Sequence, residues 1–190
     1  MNLAMQPFAA NGVLAGAISG QQVFAALIHK TCAPTATEVC YLDFDGVTFA
    51  TVSFMRESIV AYRNHARAHW PNLYPVVANA APVITEELGD FLRMRGDAMV
   101  TCELCNDVVR DPAVIGTVDG KQLTALDAIL ALREADAPQL ALQFKDVEPI
   151  STTAWNNRLA ALVGKGLLIE ISSGRGKRYR PVLEGLTYGS

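Results

Sequence analysis

Apolar residues in the first half of the chain alternate between short runs that suit buried strands and longer stretches with helical spacing. The run from Val39 to Phe44 combines β-branched and aromatic residues and stops at the turn Asp45-Gly46, so it predicts a strand. By the same criteria, this half contains strands at 39–44, 73–77 and 98–102, and helices at 20–31, 53–69 and 85–95. Strands that alternate with helices of this length indicate a small sheet with helices packed against it.

The second half of the chain follows a different order of elements. Its apolar pattern predicts a strand at 114–118, helices at 124–133, 138–145 and 151–163, and a hairpin with strands at 167–171 and 178–182. Ser151 opens the third helix, and Gly164 and Gly166 end it. A strand, three helices and a hairpin is the element order of a winged helix.

We therefore predict an α/β protein of two domains. The front domain covers residues 1–106, and the C-terminal domain covers residues 114–190. Residues 107–113 are expected to form the junction, because Asp107, Arg110 and Pro112 supply the polar, turn-forming chemistry of a linker.

The net charge of −3 conceals two oppositely charged parts of the chain. Residues 1–150 contain 10 Lys and Arg against 17 Asp and Glu, which gives −7, whereas residues 151–190 contain 6 against 2, which gives +4. The chain is therefore an acidic body with a basic end. A basic end of this kind is typical of nucleic-acid contact, although a charged surface also serves solubility alone.

The predicted third helix has one apolar side and one side of small or hydrogen-bonding residues. The apolar side carries Trp155, Leu159, Leu162 and Val163; the opposite side carries Thr153, Asn157, Ala161 and Gly164, with Asn156 and Arg158 toward its edges. An asparagine can bind adenine through two hydrogen bonds, and a helix without bulky groups can approach base edges in the major groove. This side therefore suits DNA recognition, and an ordinary solvated surface is the alternative.

The predicted hairpin concentrates positive charge around two glycines. Arg175, Lys177, Arg178 and Arg180 lie within six residues, and Gly174 and Gly176 let the backbone approach a phosphate ribbon. A turn kept soluble by its charge is the alternative. The residues expected to contact DNA are Thr153, Asn156, Asn157, Arg158, Lys165, Arg175, Lys177, Arg178 and Arg180.

The segment Trp155-Asn156-Asn157-Arg158-Leu159, with the later Lys165-Gly166-Leu167-Leu168, resembles winged-helix domains of bacterial transcription regulators. The resemblance implies that the helix at 151–163 enters the major groove and that the turn at 174–177 lies along the adjacent backbone. The chain departs from the pattern in the link at 146–150, which is longer than a tight helix-turn-helix turn and contains Pro149.

Residues 19–104 resemble the STAS-like domain of unknown function, which is similar in outline to anti-sigma-factor antagonists. The resemblance rests on Tyr41-Leu42-Asp43-Phe44-Asp45-Gly46-Val47, followed by Ser53-Phe54 at a helix start. In the antagonists a serine at this helix start is phosphorylated, and Ser53 is its nearest counterpart. Because Thr51 stands where an acidic residue is expected and Phe54 where glycine is expected, we interpret Ser53 as a helix cap.

The four cysteines favour a reducing compartment over a disulfide framework. The first 29 residues carry no Lys or Arg and are interrupted by Pro7 and several glycines, so we expect neither a signal peptide nor a membrane span. Cys102 and Cys105 could hold half of a zinc site, but no second close pair follows, and buried packing thiols are the preferred interpretation. We expect a cytoplasmic protein without metal or cofactor.

The histidines do not assemble into a catalytic motif. His65 and His69 have the spacing of a metal-binding helix, but Ala66 replaces the glutamate of a zinc protease. Arg63 and Arg67 beside them indicate a solvated surface. No nucleophile, base and orienting acid can be combined from the sequence, so we do not expect an enzyme.

These patterns lead to the hypothesis of a DNA-binding transcriptional regulator, in which a STAS-like sensing or docking domain is coupled to a winged helix. The expected partners are double-stranded DNA, a second copy of the chain in a homodimer, and a protein that docks on the front domain. The alternative is a partner-switching adaptor that binds other proteins without reading DNA sequence.

Overall fold

The computed structural model of the chain describes residues 1–173 and 176–188, without the side chain of residue 173. The strands are β1 (Asn2–Ala4), β2 (Val13–Leu14), β3 (Glu38–Asp43), β4 (Phe49–Ala50), β5 (Leu73–Ala78), β6 (Ala98–Cys105), β7 (Val108–Gly116), β8 (Ala135–Asp136), β9 (Leu168–Ser173), β10 (Gly176–Pro181) and β11 (Thr187–Tyr188). The helices are α1 (Ala17–Lys30), α2 (Val52–Met55), α3 (Ala61–His69), α4 (Pro82–Met94), α5 (Gly120–Leu132), α6 (Ala137–Gln143) and α7 (Thr152–Lys165). A 3₁₀ turn covers Gln6–Phe8, and a π turn over Arg56–Val60 joins α2 to α3. In the part of the chain described here, no helix is both long and apolar enough to cross a membrane.

The main sheet has six strands in the order β1-β3-β5-β6-β7-β11, and β2 and β4 form a separate parallel pair. Its strands β1, β3, β5 and β6 run parallel, with helices in the connections between them. β6 and β7 form an antiparallel hairpin, and β11 adds to the edge of the sheet parallel to β7. This arrangement confirms the predicted α/β class.

The two faces of the main sheet belong to two different cores. On one face, Cys40, Leu42 and Val77 pack with helices α1 to α4. On the other face, Tyr74 and Val76 pack with residues of the C-terminal elements, among them Trp155, Leu159 and Leu162. Every residue of β5 is buried, as is typical of a parallel strand that is covered on both faces.

The C-terminal elements run in the order α5, β8, α6, α7, β9 and β10, and their strands pair antiparallel in the order β8-β10-β9. The Ser151 side chain accepts a hydrogen bond from Ala154 N at 3.2 Å, which confirms the predicted start of α7. Gly166 ends the helix with a φ of 82°, a value that favours glycine. Asp136 caps α6 in the same way, accepting from Gln139 N at 2.7 Å.

The segment predicted as a junction, residues 107–113, is the end of a hairpin turn and the first part of β7. The pairing with β6 is irregular between Thr101 and Glu103, and Asp111 has a φ of 47°. The turn-forming residues are therefore used in a β-bulge, and Pro112 is buried within the sheet. Polar, turn-forming residues thus mark a bulge here as well as a loop, and the division into domains at this segment stays a prediction.

The start of α2 also differs from the prediction. Thr51 is the capping residue, because its Oγ1 accepts a hydrogen bond from Phe54 N at 3.3 Å. Ser53 already lies inside the helix, and its hydroxyl is 3.2 Å from Thr51 Oγ1. The interpretation of Ser53 as the cap is therefore wrong by two residues, since both side chains can cap and only backbone geometry decides between them.

The shared core predicts that the two halves unfold together. Trp70 reports on the front half and Trp155 on the C-terminal half, and the chain has no other tryptophan. In urea, we expect the fluorescence transition of a Trp70→Phe variant to coincide with the far-UV circular dichroism transition of the same variant, and likewise for Trp155→Phe. A Trp155 transition at distinctly lower urea than the circular dichroism transition would contradict the shared core.

Candidate nucleic-acid interface

The exposed side of α7 is the first component of the predicted interface. Thr153, Asn157 and Ala160 are exposed along it, whereas Trp155 and Leu162 are fully buried beneath the helix. We call the three exposed residues the outer face of α7. Its positions agree with the helical spacing, except that Ala160 is exposed where Ala161 was expected.

A groove of about 450 Å³ separates α7 from the hairpin strand β10. Asn156 and Asn157 line one wall, and Lys177 and Tyr179 line the other. The Tyr179 hydroxyl lies 3.4 Å from Asn156 Oδ1, to which it donates. Burial is the main cause that raises the pKa of Tyr179, so the hydroxyl remains protonated and keeps the groove walls linked.

Arg158 does not belong to the outer face of α7. Its Nη2 donates to Glu148 Oε1 at 2.7 Å, and its side chain is only 12% exposed. The guanidinium also stacks on the Trp155 ring, 5.5 Å from its centroid. The residue therefore ties the loop before α7 to the first turns of the helix, which is a structural role where a DNA contact was expected.

Lys165 lies at the other end of α7 and faces the front half of the chain. Its Nζ donates to Gly96 O at 2.7 Å and is 3.7 Å from Asp97 Oδ1, and its side chain is 17% exposed. The structure thus separates Lys165 from the other residues predicted to contact DNA. No local sequence pattern indicates this contact, because the partners of Lys165 lie in a turn that is distant along the chain.

The cations of the hairpin point to both faces of the strand. Lys177 shares the groove side with buried Tyr179, and its Nζ is 2.9 Å from Glu170 Oε1, a contact that raises the pKa of Lys177. Because side chains alternate along a strand, Arg178 and Arg180 point to the opposite face. Arg178 pairs there with Glu134 at 2.5 Å. Arg175 lies outside the described residues.

His65 and His69 were expected to be solvated because Arg63 and Arg67 lie beside them. The structure exposes His69 and partly buries His65, but it also buries Arg63 and partly buries Arg67. Arg63 is 2% exposed, and both side chains donate to backbone oxygens at the end of α7. The nearby imidazoles of His65 and His69 lie 4.4 Å apart between ring centroids. Burial, and then the neighbouring His69, lower the pKa of His65, which favours its neutral form.

The thiols form no metal site with other side chains in the described parts of the chain, residues 1–173 and 176–188. Among the described residues, no three side chains of His, Cys, Asp or Glu come together closely enough to hold a metal ion. Cys102 is buried and Cys105 is exposed. Burial raises the pKa of the Cys102 thiol to about 11, and the charge of Asp43 adds to the effect.

Comparison with known proteins adds no assignment. No family model matches the chain, and no curated protein matches its sequence.

Thiol reactivity provides a direct check on the burial of the cysteines. Burial raises the pKa of Cys40 to about 11 as well, so at pH 8 only about one in a thousand of the Cys40 and Cys102 thiols is ionised. We expect Ellman's reagent to label Cys32 and Cys105 in the native protein, and all four thiols only after unfolding. A Cys32→Ser/Cys105→Ser control should show almost no native labelling. Rapid labelling of that control would show that the buried thiols are accessible.

Proposed function

We propose that the protein is a DNA-binding transcriptional regulator in which residues 120–183 act as a winged helix and α7 is the recognition helix. The outer face of α7 is the observation that carries the proposal. It presents a hydroxyl, an amide and a methyl group. No side chain on this face larger than that of Asn157 would keep the helix away from the base edges in the major groove of DNA. Such a face can bring an amide within hydrogen-bonding distance of a base edge.

The element order supports this assignment. α5, β8, α6, α7 and the β9–β10 hairpin follow one another, with β8 paired to β10, and both α5 and α6 pack on α7. This order places the hairpin beside the recognition helix, where it can follow the phosphate backbone while the helix lies in the groove. We propose further that two copies pair on a two-fold symmetric operator, because one such helix reads only a short site.

The front domain, in this proposal, is a STAS-like sensing or docking domain. Its parallel sheet and covering helices support a compact body that can bind a partner while its second face holds the C-terminal elements.

One observation favours the alternative of a protein-binding adaptor. Arg158, Lys165, Lys177 and Arg178 each pair with an acidic residue of the same chain. Cations already engaged in this way contribute less to phosphate binding than free ones.

A selection of bound sequences from random duplex DNA, followed by gel shifts at several salt concentrations, separates the two functions. Enrichment of a common sequence supports the regulator, and its absence with retained protein partners supports the adaptor.

Base reading by α7 predicts a specific effect of Asn157→Ala. The variant should bind the selected duplex about 5- to 150-fold more weakly, since a bidentate base contact is worth about 1–3 kcal/mol, and its affinity for random duplex should barely change. Gln22→Ala, which removes an exposed amide from α1, is the matched control and should bind like the wild type. If Asn157→Ala folds and still discriminates fully between selected and random duplexes, Asn157 does not read bases.

The two faces of the hairpin predict opposite results for neighbouring cations. Lys177→Ala should weaken binding to every duplex and reduce the magnitude of the log–log salt slope by about one, because one phosphate contact is lost. Arg178→Ala, on the opposite face and paired with Glu134, is the control and should leave the slope unchanged. Glu170→Gln should strengthen binding, since it releases Lys177. Equal salt slopes for Lys177→Ala and the wild type would show that this face of the hairpin makes no phosphate contact through Lys177.

A further inference from the structure

The C-terminal end of α7 is held by the front half of the chain. The last carbonyl groups of any helix have no partner within it. Here, Arg63 Nη1 donates to Lys165 O at 3.0 Å, and Arg67 Nε donates to Val163 O at 3.2 Å. The two positive charges also interact favourably with the partial negative charge at this end of the helix dipole. Two arginines of α3 thus complete the end of the helix that we propose as the DNA reader.

Arg63 is itself fixed by contacts that leave it little freedom. It is 2% exposed, donates to Ala98 O at 3.0 Å and binds both carboxylate oxygens of Asp97. Burial by itself raises the pKa of Asp97, but the charge and hydrogen bonds of Arg63 outweigh it and hold that pKa below its usual range. The carboxylate therefore stays ionised and also attracts Lys165 from α7.

Arg67 links the same end of α7 to the sheet. Its Nη1 donates to Pro71 O at 2.9 Å and to Leu73 O at 2.6 Å. Its guanidinium carbon lies 3.9 Å from the centroid of the Tyr74 ring. The Tyr74 hydroxyl in turn accepts a hydrogen bond from Glu170 N at 3.3 Å, at the strand that follows α7. The guanidinium is therefore set in place by backbone atoms of the front half and by a ring of the sheet.

We propose that Arg63 and Arg67 are positioning residues for base reading: they set the angle at which α7 leaves the front half and carry any displacement of α3 to it. This inference rests on the proposed function. Groups that read a ligand must be held within about 0.5 Å of their productive position, which requires fixed supports. The front half is then part of the DNA reader, and a partner that shifts α3 changes the affinity for DNA.

The test uses the full-length chain and the variant Arg67→Met, which keeps an unbranched chain as far as the position of Nε but removes the donors and the charge. Arg93→Met is the matched control, because Arg93 is exposed on α4 and pairs with Asp90 of the same helix. We expect Arg67→Met to bind the selected duplex about 2- to 30-fold more weakly, as is typical of residues that transmit coupling, with random-duplex affinity equal to that of the control. Hydrogen exchange should accelerate at amides 163–168 in Arg67→Met only, and Arg67→Lys should restore part of the discrimination.

The outcomes distinguish this inference from the proposed function. A wild type that prefers no duplex overturns the proposed function, and hydrogen exchange alone then decides whether α3 holds α7. A wild type that prefers a sequence, together with an Arg67→Met variant that prefers it equally, overturns the positioning role. Faster exchange with unchanged preference means that Arg67 only stabilises the fold, and this result also overturns the inference.

Discussion

The apolar face of the main sheet that helices α1 to α4 leave uncovered is the constraint on which the rest of the molecule depends. Tyr74, Val76 and Val100 lie on this face, and each would expose a large apolar surface if nothing covered it. Burying a side chain of this size is worth about 1.5–3 kcal/mol, so a bare face would cost the front half much of its stability. The C-terminal elements cover it with Trp155 and Leu159. The position of the C-terminal elements therefore follows from the stability of the sheet, whatever role α7 has in binding.

Local signals explain what the sequence predicts well. Ser151 and Gly166 mark the two ends of α7 because a capping hydroxyl and a glycine with positive φ act within one turn of the chain. The apolar side of α7 follows from spacing alone, which is why Trp155 and Leu162 were correctly expected in the core. The strands β3, β5 and β6 were recognisable for a similar reason, since each contains a short apolar run with β-branched residues, joined in β3 and β5 by a tyrosine.

Contacts between distant residues explain what the sequence could not predict. The ion pair of Lys165 with Asp97 and the burial of Arg63 depend on how the two halves meet, and no local pattern contains that information. The same holds for β11, whose two residues are recognisable as a strand only beside β7. For the candidate site the consequence is electrostatic. The positive charge counted from the sequence is largely compensated in space by acidic residues, so binding to phosphate competes with internal ion pairs.

The return of the chain to the main sheet restricts how the C-terminal elements can move. They leave the sheet at the end of β7 and come back to it at β11, where Thr187 pairs with Ala113 and the Tyr188 hydroxyl accepts a hydrogen bond from Val118 N at 3.3 Å. The segment that leaves the sheet and the segment that returns to it are therefore held next to each other at the same edge of the sheet. A body attached in this way loses most of its rotational freedom. If two copies bind DNA as proposed, rigid geometry would set the spacing between their half-sites, with little tolerance for an inserted base pair.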